Sequence, residues 1–372
     1  MDFEKTLDKL RLQGNLRRIP TNDTDGIVDL SSNDYLGIAD ETELLKQFNL
    51  SLNNSPIRFT SSAARLLSGQ QTYHNKLETL LGDLYSRSIL LMNSGYHANV
   101  GAISALAGEG TLIVADKLVH ASIIDGITLS RAPFERFRHN DMTHLRRILT
   151  KKAHEFERVM IVTESVFSMD GDTAPLDELT AIRREFNNSL LYVDEAHAFG
   201  VLGSNGLGLC RDMDYVDIIV GTFGKAAASS GAFIAAKSRA LIDFMINRAR
   251  SFIFSTALPP VNCAWTIEVI KHITSLDNRR AYLADLSRQL ATVLQPIANA
   301  TITPSHIQPL IIGDAFRTVQ LSQELAPKGF KVLPIRTPTV PPGTERLRFS
   351  LSASVKPDDI LRLGKSLHEI MS

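Results

Sequence analysis

Cysteine is nearly absent from this chain of 372 residues: Cys210 and Cys263 are the only two. Two thiols cannot build a disulfide framework or a cysteine metal site, so a reducing compartment is the simplest setting and no metal is expected. Long apolar runs are missing too. No stretch of eighteen apolar residues occurs, and the opening MDFEKTLDKLRLQGNLRR is charged throughout with no apolar centre, so a cytoplasmic location without a membrane partner is expected. Net charge is also lacking: 40 basic side chains balance 40 acidic ones, and the isoelectric point is near 7.2. Basic knots such as Arg11 with Arg17 and Arg18 are short, which disfavours nucleic acid as a partner. Finally, no stretch reads GxxxxGK[ST], and Lys225 is followed by Ala226, so the DEAH at 194–197 is not a helicase-type ATPase box.

What is present is ordinary globular composition, 44% hydrophobic, enough for one large and one smaller domain. Residues 2–18 set Phe3, Leu7, Leu10 and Leu12 near helical spacing among charges, as in an amphipathic arm. IVDLSSNDYLG follows, a short strand running into turn-forming residues and Gly37. From about Gln70 helices and short apolar strands alternate. The strands read SILLM at Ser88–Met92, TLIVA at 111–115, RVMIVTE at Arg158–Glu164, SLLYVDE at 189–195, DIIVGTF at 217–223 and AFIAA at Ala232–Ala236. Helices fall at 73–84, at 98–107 and in PLDELTAIRREF, where Pro175 suits a first turn. Strands apolar on both faces that alternate with helices predict an α/β fold with a mainly parallel, doubly covered sheet. Binding residues then gather at the carboxyl ends of the strands. Residues 259–296 read as helical, and strands near 307–312, 330–335 and 347–351 predict a separate α+β unit. The expected division is an N-terminal arm at 1–45, a large domain at 46–260 and a small domain at 261–372.

Several strand ends carry chemistry. Lys225 follows the apolar run DIIV in GTFGKA, and no acidic or basic residue lies near it from Ile218 to Ala236, which favours a desolvated amine able to form a Schiff base. A lone lysine of this kind can equally cap a loop beside a buried strand. NSGYHAN puts Gly95 and Tyr96 where SILLM turns into a helix, and free backbone N–H groups there suit a phosphate. Asp194 ends SLLYVD, and a carboxylate at the tip of a buried strand needs a cation or several donors. His197 follows three residues later, His120 opens a helix after TLIVA, and Ser168 lies in the loop after RVMIVTE. Each has a bland structural reading alone. Together they match one ligand, pyridoxal phosphate, with its phosphate, flat ring, pyridine nitrogen and aldehyde.

The motifs SSNDYLG, RLLSGQQTYHNKLE, NSGYHAN, VTESVFSMDGDTAPL, VDEAHAFGVLG, GTFGKA, FIFSTALPP and RLRFSLSA occur in the order seen in the α-oxoamine synthases, and the chain resembles that family from about Ser31 to Ala353. The resemblance implies a pyridoxal-phosphate transferase of fold type I. It also implies a large domain around a mainly parallel seven-stranded sheet, a smaller α+β domain, and a homodimer with shared active sites. Its reaction joins an amino acid to an acyl thioester with loss of carbon dioxide. Residue by residue, Lys225 resembles the Schiff-base lysine, Asp194 the partner of the pyridine nitrogen, His197 the donor to the ring hydroxyl and His120 the residue stacked on the ring. Ser168 matches a serine near the cofactor, Thr222 a phosphate ligand, Gly95 with Tyr96 the phosphate turn, and Thr256 a phosphate contact from across the dimer. Arg348 resembles the arginine that holds the substrate carboxylate, for which a guanidinium fork is suited. Asn33 and Arg18 are the other substrate-binding candidates.

RLLSG and the compact length resemble the branch that uses L-alanine and a pimeloyl thioester in biotin synthesis; branches using glycine or serine are the alternative, and a noncatalytic cofactor-binding module a more distant one. The family usually carries a glycine-rich GSGxSR before RLxSG, where this chain has Ser61, Ser62, Ala63 and Ala64. It also lacks a glycine often found soon after the lysine, in GKAAASSGA. Loops of different shape near the substrate are therefore expected.

Overall fold

The computed structural model describes residues 2–19, 26–54, 56–298 and 302–371. They form two compact units, one from Gly37–Phe167 and Thr173–Asp277, the other from Met1–Leu36, Ser168–Asp172 and Asn278–Ser372.

The larger unit is built on seven strands: β1 (Ser88–Met92), β2 (Thr111–Asp116), β3 (Phe134–Phe137), β4 (Arg158–Glu164), β5 (Ser189–Asp194), β6 (Ile218–Thr222) and β7 (Ala232–Ala236). They lie side by side in the order β1-β7-β6-β5-β4-β2-β3. β7 runs antiparallel to both β1 and β6, while the remaining neighbours are parallel. Every residue of β2, β6 and β7 is buried, because helices cover both faces and leave no side for polar alternation. One face is closed by helices α1 (Gly95–Leu106) and α2 (Ala121–Ser130), which send Ala98, Ala102, Ile103, Ile123 and Ile127 into a core shared with Ile113, Met160 and Val220. Burial of each large aliphatic side chain there contributes about 2 kcal/mol.

β3 has no apolar run to mark it in the sequence. FERF leaves Phe134 and Arg136 exposed and buries only Phe137, since β3 is the sheet's edge and charged residues there discourage pairing with another chain. Gly221 answers a different constraint. A Cβ on it would stand 2.3 Å from the ring of Phe233, which stacks on Phe223 with centroids 5.6 Å apart, so only glycine lets β6 lie flat against β7 just before Lys225.

In the other unit β8 (Ile307–Ile311), β9 (Leu333–Ile335) and β10 (Arg346–Ser350) form an antiparallel sheet in the order β9-β10-β8. The single strand expected at 330–335 is two pieces, because Phe330–Lys331 pairs instead in parallel with Val28–Asp29. The arm is a helix, Phe3–Leu12, started by Asp2, whose side chain accepts the Lys5 N–H at 3.0 Å, and it buries no residue. Among the described residues no helix is long and apolar enough to cross a membrane.

Candidate active site

A cleft of 160 Å³ opens at the carboxyl edge of the large sheet, lined by Gly95, Tyr96, Asn99, His120, Ser122, Glu164, Asp194, Ala196, His197, Thr222 and Lys225. Parallel strands bring these residues together, since β2, β4, β5 and β6 all end there. α1 starts at Gly95 behind Ser94, whose side chain caps the His97 N–H. The first N–H groups of a helix have no partner within it, so those of Gly95 and Tyr96 present a positive pole. A Cβ on Gly95 would lie 3.6 Å from the Thr222 Cβ, which places the Thr222 hydroxyl beside that pole.

Asp194, 5% exposed, is held on both oxygens: Asn99 Nδ2 donates to Oδ2 at 2.7 Å and the Ala196 N–H to Oδ1 at 2.8 Å. Asn99 is oriented in turn by the Tyr192 hydroxyl, which donates to its Oδ1 at 2.7 Å. Lys225 Nζ lies 2.7 Å from His197 Nε2. The uncharged sequence around the lysine is therefore misleading, because the fold surrounds its amine with His197, Asp194, Glu164 and His120.

Glu164 ends β4 directly beside Asp194 in the strand register and is 3% exposed, with Oε1 making no hydrogen bond. Burial, then the Asp194 charge, push its carboxyl well above the usual range, with Lys225 opposing. His120 caps α2, its Nδ1 accepting the Ser122 N–H at 3.2 Å. Its ring, exposed at the mouth of the cleft yet dehydrated by the wall, has a lowered pKa; Asp194 opposes the shift and Lys225 adds to it.

Three other predicted residues meet in the second unit. Arg348 on β10, 4% exposed, donates from Nε to the Ser168 carbonyl at 2.6 Å and from Nη2 to Asn33 Oδ1 at 3.3 Å. Tyr35, its hydroxyl donating to the same Asn33 oxygen at 3.0 Å, is pushed up to about 12 by burial, with Arg348 opposing. Arg346, two residues away on the same face of β10, forms an ion pair with Asp170. Among the described residues Arg348 has no such carboxylate, and Glu345 turns instead to the Gly343 N–H and Thr337. Arg18 is exposed, and it is the neighbouring Arg17 that is held, by Thr339 Oγ1 at 2.8 Å. Thr256 is exposed and does not line the Lys225 cleft; its carbonyl accepts from Asn93 Nδ2 at 2.7 Å.

Asn99, Ser122 and Glu164 line the cleft without having been singled out in the sequence. Glu164 carried a usable signal, an acid at the tip of a buried strand, the same that marked Asp194. In the two stretches without the expected glycines, Ser62 and Ala228 adopt left-handed backbone, with φ of 56° and 41°. Each loop thus holds an L-residue in a conformation that glycine enters more readily.

A helix N-terminus with a hydroxyl beside it, a fixed carboxylate, two histidines and an amine at one cleft suit a flat, phosphorylated aldehyde, and no cluster able to hold a metal ion is found among the described residues. The residues fit pyridoxal phosphate, and the site is that of a fold type I enzyme dependent on it. The family model for aminotransferase class I and II matches residues 25–367. An 8-amino-7-oxononanoate synthase of Haemophilus ducreyi is 46% identical over 88% of this chain and 88% of its own length. Among solved structures, 8-amino-7-oxononanoate synthase from Francisella tularensis superposes with a TM-score of 0.77 at 27% identity, covering 93% of this chain and 98% of that one. A serine palmitoyltransferase of Sphingomonas wittichii gives 0.85 at 30% identity, covering 92% and 86%. The chain belongs to the aminotransferase class I and II family and, within it, to the α-oxoamine synthases, the pyridoxal-phosphate-dependent acyltransferases that include the biotin-pathway synthases.

Proposed function

We propose that this enzyme joins L-alanine to a pimeloyl thioester to give 8-amino-7-oxononanoate, acting as a cytoplasmic homodimer. A bond forms between the alanine α-carbon and the acyl carbonyl carbon, the thiol leaves, and the alanine carboxylate departs as carbon dioxide. Arg348 carries the reading: among the described residues its buried guanidinium meets neutral oxygens, which is costly unless a carboxylate joins it, and the amino-acid substrate brings one. The 46% identity to an 8-amino-7-oxononanoate synthase favours alanine.

When bound, pyridoxal phosphate supplies an electron sink joined to the substrate nitrogen. The N–H groups of Gly95 and Tyr96 and the Thr222 hydroxyl would hold its phosphate, with Thr256 added from a second copy. Asp194 would keep a proton on the ring nitrogen, His197 donate to the ring hydroxyl, and His120 cover the ring face with Ser168 nearby. Lys225 Nζ removes the α-proton of alanine and later returns a proton to the product. Arg348, with Asn33 and Arg18, orients the substrate.

A second reading, a serine-using enzyme, draws support from the TM-score of 0.85 to a serine palmitoyltransferase. The test supplies alanine, glycine and serine, each labelled with carbon-13 at the carboxyl, together with pimeloyl thioester of coenzyme A or of a carrier protein. Labelled carbon dioxide and 8-amino-7-oxononanoate are expected from alanine. Release from serine or glycine alone transfers the assignment to those branches, and an amine-bearing cofactor formed without carbon dioxide marks a plain aminotransferase.

A further inference from the structure

The turn after Lys225 is gripped from one side by a single helix, Pro260–Ile273. Asn262 Nδ2 donates to the Ser230 carbonyl at 2.7 Å, Trp265 Nε1 to the Ala228 carbonyl at 3.0 Å, and Thr266 Oγ1 shares a hydrogen bond with Ser229 Oγ at 2.7 Å. Positions 262, 265 and 266 stand three and four residues apart, so they occupy one helix face. Thr266 is fully buried, and its hydroxyl is also tied back to the Asn262 carbonyl at 2.8 Å. The grip closes on the one strained residue of the turn. Ala228 has φ 41°, and its N–H donates to the Lys225 carbonyl at 2.8 Å, so the backbone that bears the lysine ends in this left-handed alanine. An L-residue with a Cβ resists that conformation, which glycine accepts freely.

We propose that Asn262, Trp265 and Thr266 form a clasp that holds Ala228 left-handed and thereby aims the Lys225 amine, with Trp265 as the principal positioning residue. The clasp does what a glycine would otherwise do: where glycine needs no help to enter the left-handed region, alanine is kept there by the indole N–H on its carbonyl. Loosening the clasp lets Ala228 relax toward negative φ, which turns the Lys225 carbonyl and shifts the amine away from His197.

The proposal concerns cofactor retention and is independent of the acyl acceptor chosen by the enzyme. The experiment uses the full chain loaded with pyridoxal phosphate and follows two quantities: the rate at which the near-visible absorbance of the lysine-bound cofactor decays on dilution, and the pH dependence of that absorbance. Trp265→Phe should release the cofactor about fivefold faster, the scale of one hydrogen bond, and displace the pH profile. Adding Ala228→Gly to Trp265→Phe should return both to within about twofold of the native chain, because glycine holds the turn without the indole. A merely structural tryptophan predicts the opposite, since glycine cannot refill a packing defect. Thr266→Val, which keeps the volume but removes the bond to Ser229, reads the same loop should the Trp265 variant fail to fold, and it should accelerate release in the same direction. Unchanged release and pH profile in the variant that folds, or failure of Ala228→Gly to restore them in Trp265→Phe, overturns the clasp.

Discussion

At the carboxyl edge of the seven-stranded sheet the titratable groups come as a mutual set, Lys225 with His197 and Asp194 with Glu164 on the adjoining strand. On β10 of the other unit, Arg348 is as deeply buried as Asp194 and donates to a carbonyl and an amide oxygen, while Arg346 on the same face has Asp170. The first region is arranged to hold a group that brings both charge and ring atoms. In the proposed function the second would offer its cation to the substrate carboxylate.

The largest test of this contrast is Lys225→Ala. It should lose the near-visible absorbance of lysine-bound cofactor and at least about a thousandfold in kcat, because in the proposed function one group would both bind the aldehyde and move the α-proton. Turnover at the native rate would remove Lys225 from the chemistry. Next comes Arg348→Ala, which should leave that absorbance in place while raising the KM for the amino acid on the order of a hundredfold, the cost of deleting one partner of a buried charge pair. Loss of cofactor from this variant would break the distinction between the two regions. Arg348→Lys, which keeps the charge but not the fork, should fall between.

The smallest effect concerns Glu195, buried behind Asp194, where it accepts the N–H groups of Leu209 at 2.7 Å and Cys210 at 3.2 Å. Burial pushes its carboxyl from 4.5 up to about 7. Between those values the folded chain keeps a proton that the unfolded chain has released, so this group's contribution to stability falls as pH rises and is level below the window. Glu195→Gln removes the titration. Its Tm relative to the native chain should therefore climb steadily across the window, and a constant difference would show that Glu195 does not titrate there.

The large sheet was legible because strands buried on both faces leave unbroken apolar runs, and their ends located Lys225, Asp194, His120 and Gly95 correctly at one edge. β3 escaped because it is a short edge strand in which Glu135 and Arg136 break the apolar run. Asn99 and Ser122 escaped for another reason: a polar residue on a mostly buried helix gains its meaning only from what faces it across space. The missing glycines near Ser61 and Ala226 led to an expectation of altered loops. The backbone carries a left-handed residue in each, held at Ala228 by a helix more than thirty residues further along the chain. Local sequence reports which conformations are easy, and tertiary contacts decide which are used.

β7 is the one strand of the large sheet that runs against its neighbours, and this gives Lys225 a different folding history from its partners in the cleft. Residues 223–231 join two antiparallel strands whose ends, Thr222 and Ala232, sit opposite each other in register. Closing such a loop requires only a short search, whereas Asp194 and Glu164 reach the edge through helical crossovers that bring distant segments together. The reactive lysine can thus be set on its hairpin by local pairing, while the carboxylates that face it wait for the rest of the sheet to assemble.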